Sequence, residues 1–166
     1  WFSRKDEYTP LLSPNVIEKK VIPLLKAGEK VCLVVIDNLR LDQWKALNPM
    51  LDEYYTVDSD EVYCGILPTA TQYARNSLFA GLMPLDIEKM HPSLWIDEEE
   101  DTGKNMKEHE LLEKQMQRAG LKLRIHYDKI SNSRGGKKLV DNASDLENFD
   151  LSAVIFNFVD ILSHTR

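Results

Sequence analysis

The sequence predicts an α/β fold, a doubly wound and mostly parallel sheet with helices on both faces. Two apolar runs, VCLVVI ending at Ile36 and LSAVIFNFV ending at Val159, read as strands buried on both faces of such a sheet. Helical and strand patterns alternate between them, the order that a doubly wound sheet requires. Apolar residues make up 43% of the 166 and charged residues 29%, which suits a globular chain able to bury a core.

Charge and cysteine usage narrow the classes. A net charge of −6 argues against general nucleic-acid or membrane-surface binding. The longest apolar run, 31–36, is far too short to span a bilayer, and the N-terminus has no signal-peptide pattern. Cys32 and Cys64 make a poor disulfide framework, because Cys32 lies inside an apolar strand. The chain reads as soluble and cytoplasmic.

In chain order, residues 1–14 read as a linker or the end of a preceding element, and 15–166 as a single domain. Val16, Ile17, Val21, Leu24 and Leu25 recur at helical spacing, with Pro23 shortening or kinking that helix and Gly28 ending it. Strand 30–36 follows. Asp37 stands at its carboxyl end, where open α/β sheets keep their ligand chemistry. A helix N-cap looks the same in sequence, so both readings stand. A helix continues through Trp44 and Leu47 to Asn48-Pro49. Tyr54, Tyr55, Val57, Val62 and Tyr63 predict one or two short strands over 50–63, with a turn at Asp58-Ser59-Asp60.

The stretch 66–81, ILPTATQYARNSLFAG, reads as the end of a buried strand, a turn at Pro68 and a helix. Thr69 with Gln72 has the form of a capping box, and Gly81 ends the helix beyond Ala74, Leu78 and Phe79. Residues 85–105 read as a long acidic loop or lid that includes Asp97 to Asp101, with His91 as a surface histidine. An amphipathic helix over 107–119 stops at Gly120, and strict alternation predicts a strand over 121–127. A polar loop over 131–138 follows; its Gly135-Gly136-Lys137-Lys138 lacks P-loop spacing. A short helix over 139–149 leads into the strand 151–159, with Asp160 next and His164 four residues on.

Thr71 is the candidate nucleophile. A hydroxyl near a helix N-terminus sits among unpaired N–H groups and the positive dipole end, which favours a phosphate and an alkoxide. From this helix alone, plain capping accounts for both threonines. The case for chemistry rests on convergence, since Asp37, Thr71 and Asp160-His164 are each expected to follow a buried strand and meet at one sheet edge. Asp-x-x-x-His on a helical turn puts an oxygen and a nitrogen donor on one face, which suits zinc. A basic segment (Arg118, Lys122, Arg124, Lys129, Arg134, Lys137, Lys138) reads as a solvated face or as a steering surface for an anionic substrate.

These residues resemble a known family. PTATQYARNSLFAGLMP resembles the nucleophile segment of the alkaline phosphatase superfamily, above all its nucleotide pyrophosphatase/phosphodiesterase branch, with Thr71, Gly81, Leu82 and Pro84 in register. VCLVVIDNLR is similar to its first metal-binding strand, and FNFVDILSH to its Asp-x-x-x-His pair. Together with the DNLRLDQW wording, the chain most resembles the PglZ domain of PorX-type two-component response regulators. The resemblance implies two zinc ions, one on Asp37 with Thr71 and the other on Asp160 with His164. It also implies a nucleophilic Thr71 and hydrolysis of a phosphate diester such as a nucleotide or short oligonucleotide. A receiver domain upstream is implied too, and a homodimer would suit a regulator. The superfamily completes its metal sites with a later Asp-His pair and a further His, and the chain stops at Arg166. The expectation is therefore the N-terminal part of such a domain. Two other readings stand beside it: a non-catalytic signalling or interaction module, and a receiver-type phosphoacceptor at Asp37. The last is disfavoured because no acidic pair precedes Asp37 at an earlier strand end.

Overall fold

The computed structural model describes residues 10–95, 107–157 and 159, apart from the side chains of 71 and 72. The elements in order are α1 (Ile22–Lys26), β1 (Val31–Ile36), α2 (Leu41–Leu51), α3 (Thr71–Ala80) and α4 (Pro84–Met90). Then come α5 (Glu108–Arg118), β2 (Ile125–Ile130), α6 (Ser133–Asp141) and β3 (Leu151–Phe156). The chain divides into two compact units, residues 1–29 with 62–123 and residues 30–61 with 124–166.

The first unit is helical. A 3-10 turn at Ser13–Asn15 and a π-helical turn at Ile17–Val21 lead without a break into α1, which holds Pro23 as its second residue. At the end of α1 the N–H of Glu29 donates to Leu24 O and that of Gly28 to Leu25 O, both at 3.1 Å. This is the paired bonding of a Schellman stop, with Gly28 left-handed at φ 86°. Helix α3 packs on α5, on α4 and on the Ser13–Asn15 turn. Ile17, Phe79, Ile87, Leu111, Leu112 and Met116 form the buried core of this unit.

The second unit is the α/β one. Its sheet is parallel in the order β1-β3-β2, with Val31 and Ile125 both in register with Leu151. Helices flank the sheet, α6 packing beside β2, so the α/β expectation holds. Central β3 is buried along Leu151–Ile155 as the sequence predicts, but it ends at Phe156 and not at the expected Val159. Strand β1 departs from expectation. Cys32 and Val34 are exposed while their neighbours are half-buried, because β1 has a ladder partner on one side only among the described residues.

Other expectations need correction. No strand forms over 50–63; Tyr54, Tyr55, Val57, Val62 and Tyr63 are exposed, and just beyond them Cys64 makes an isolated bridge with Leu12. The loop expected over 85–105 instead opens with α4, which starts at Pro84, and a 3-10 turn at Pro92–Leu94; the acidic run 97–101 lies outside the described residues. The strand expected over 121–127 begins at Ile125. A Schellman stop at Gly120 already engages Leu121 N–H with Met116 O at 3.0 Å. The loop expected over 131–138 is mostly α6, opened by Asn132, whose side chain accepts from Gly135 N–H at 2.9 Å. Both cysteines are free.

Candidate active site

In the second unit, β1 ends at Ile36 and Asp37 extends its ladder by one bond, donating its N–H to Phe156 O of β3 at 2.9 Å. The carboxyl ends of β1 and β3 therefore lie side by side, as parallel pairing dictates. Asp37 is half-buried at that edge, and the chain turns through Asn38 at φ 59°, a left-handed value that asparagine tolerates. The N-cap reading of Asp37 does not hold. Helix α2 is capped three residues later at Arg40, whose N–H donates to Gln43 Oε1 at 2.9 Å. Arg40 also grips Asp42 through Nε and Nη2 at 2.9 and 2.8 Å, an exposed pair that holds the Asp42 carboxyl below its usual range.

Asp160 follows the end of β3 by four positions, and with His164 it lies outside the described residues. Among the described residues no three His, Cys, Asp or Glu side chains gather as a metal site. Asp37 brings to the β1–β3 edge a carboxylate of the kind that binds zinc and harder divalent cations.

In the first unit, Thr71 is the first residue of α3. Ala70 is the N-cap and gives no side-chain bond, so the capping box expected from Thr69 and Gln72 is out of register, with Thr69 one position before the cap. Thr71 also does not follow a strand among the described residues, because Cys64 makes only an isolated bridge and Ile66, though buried, is not in one. The helix ends as expected at Gly81, left-handed at φ 63°, with its N–H on Ser77 O.

Sequence reasoning missed what holds α3. Arg75 and Glu108, 5% and 0% exposed, form an ion pair between α3 and α5. Farther along, Arg118 donates to Ala80 O and meets His91 Nε2 at 3.3 Å. A Cβ at Gly81 would collide with Gln115 Nε2. No periodicity marks these residues, since each of these bonds joins residues at least 27 positions apart.

The basic segment is partly engaged locally. Arg124 pairs with Asp150 at 3.2 Å and lowers that carboxyl from its usual range. Lys138 lines a cavity of about 260 Å³ with Asp128, Asp145 and His126.

The family model described as the BREX system PglZ alkaline phosphatase-like domain matches residues 16–166. A comparison with curated proteins finds no match.

Proposed function

Since the chain belongs to the PglZ alkaline phosphatase-like family, we propose that it serves a metal-dependent phosphoesterase, acting on phosphate diesters of nucleotides or short oligonucleotides. The observation that carries this reading is the extent of the family match, which spans Asp37, Thr71, Asp160 and His164 together. The edge shared by β1 and β3 supports it, because it sets Asp37 beside the strand that runs on toward Asp160. A role within a signalling regulator, with a receiver domain upstream, belongs to the same proposal.

Thr71 is the nucleophile in this reading. Its place in the first turn of a ten-residue helix whose N-cap lends no side chain favours an anionic group nearby. The Thr71 hydroxyl loses its proton and bonds to phosphorus as the bond to the departing alcohol breaks; water then hydrolyses the phosphothreonine. Asp37 would hold one divalent cation, zinc by family likeness, and Asp160 with His164 a second. Bound there, the cations supply positive charge that stabilises the attacking and leaving oxygens.

Hydrolysis of bis(p-nitrophenyl) phosphate with added zinc tests the proposal. Thr71→Ala should reduce kcat at least about 1,000-fold, as loss of a covalent nucleophile does. Asp37→Asn should weaken zinc binding about 10-fold or more, read by metal analysis after dialysis. A Thr71→Ala protein as fast as the parent would overturn the nucleophile assignment.

A further inference from the structure

Helix α3 is held against α5 at its middle by a buried ion pair and at its C-terminal end by polar contacts. Arg75 lies four residues after Thr71, one helical turn along, and its guanidinium meets the Glu108 carboxylate. At the other end, Arg118 donates to Ala80 O, and Gln115 occupies the space beside Gly81.

Stability alone is a poor reason for such a pair. Arg75 is 5% exposed and Glu108 fully buried, so both charges have lost most of their hydration. Replacing a buried ion pair by apolar residues of similar volume is often neutral or stabilising, whereas leucine-like packing leaves a helix freer to rotate and slide. A guanidinium bonded to a carboxylate fixes distance and direction together. One turn from the first residue of α3, that restraint sets the rotation and axial position of the helix start. Reacting groups need such placement, since a displacement of about 1 Å can cost about 100-fold in rate.

We infer that Arg75 and Glu108 are positioning residues, which hold the first turn of α3 in the register that Thr71 needs to react. This rests on the reading of Thr71 as the nucleophile.

The test is the double replacement Arg75→Met with Glu108→Leu, which removes both charges at once and leaves neither buried alone. Bis(p-nitrophenyl) phosphate hydrolysis and thermal unfolding are measured on the full chain beside Thr71→Ala. The expected result is an unfolding midpoint close to the parent's, with kcat down about 100-fold and KM unchanged. If the double variant does not fold, Arg75→Lys carries the test: it keeps the charge and loses the fork, and kcat should fall about 10-fold at unchanged KM. Parental kcat in the folded variant, with Thr71→Ala inactive, overturns the positioning role and leaves the nucleophile standing. Parental activity in Thr71→Ala overturns both.

Discussion

The two units are held by different means. In the sheet unit, Leu151, Ala153, Val154 and Ile155 of β3 are at most 1% exposed, and the neighbouring strands pair with it in parallel ladders. In the helical unit, an apolar core of Phe79, Ile87, Leu111 and Leu112 is joined by buried polar side chains at the α3–α5 contact. Ser77 Oγ and Gln115 Oε1 are buried there with no hydrogen-bond partner among the described residues, a cost that an apolar interface avoids. The comparison separates two kinds of order. Apolar burial makes the sheet stable and tolerant of hydrophobic exchange, whereas the polar contacts around α3 fix orientation at some expense in stability.

The sharpest way to break the comparison is in β3. Ile155 is fully buried, and Ile155→Ala removes most of its side chain from the central strand and leaves a cavity. The expected loss is about 4 kcal/mol. Val34, on β1 of the same sheet, is 52% exposed, and Val34→Ala should change stability by no more than about 0.5 kcal/mol. Urea unfolding of both variants checks the contrast. Equal losses would mean that β1 is as deeply packed as β3.

The helical unit offers a second contrast, between two left-handed glycines. Gly81→Ala meets Gln115 at once and also takes a left-handed backbone, so it should cost about 3 kcal/mol. At Gly120, with φ 75°, an added methyl would meet nothing within 4 Å, so Gly120→Ala should cost about 1 kcal/mol from backbone strain alone. Adding Gln115→Ala to Gly81→Ala should recover the steric share of the loss. If Gly81→Ala costs no more than Gly120→Ala, the α3–α5 contact is looser than its geometry indicates.

What the sequence made legible divides along the same line. Strand β3, the inward face of α5 and the stops at Gly28, Gly81 and Gly120 follow from apolar periodicity and from glycine at positive φ, which are local signals. Asp37 at a strand end was legible for the same reason. The Arg75–Glu108 pair was not, because an arginine inside a helix is normally exposed and its burial depends on a carboxylate 33 residues away. The start of α3 misled through Thr69: a capping pattern works only immediately before the first helical residue, and Ala70 holds that place. Residues 50–63 misled through aromatic and β-branched content, which favours strands only where a neighbouring strand pairs with it. Two adjacent glycines hid α6, where the Asn132 cap offsets their poor helical propensity.

The smallest expected effect lies at the C-terminal end of the α3–α5 contact. Burial, and then the charges of Arg118 and Lys114, push the His91 imidazolium below its ordinary value near 6.5. The geometry agrees: Arg118 Nη1 faces His91 Nε2 at 3.3 Å, so the guanidinium donates to a neutral ring nitrogen and would oppose a proton placed there. The unfolded chain therefore takes up this proton more readily than the folded one. Stability from this source is present above about pH 6.5 and is lost as pH falls through the lower folded value. Thermal unfolding at pH 7.5 and 5.5 should show a drop for the parent that is smaller in His91→Gln, which has no proton to gain. The substitution leaves every other histidine in place, so the difference between the two proteins reports His91 alone. An equal drop in the two would mean that Arg118 spends its hydrogen bonds on Ala80 O and leaves the His91 ring indifferent to charge.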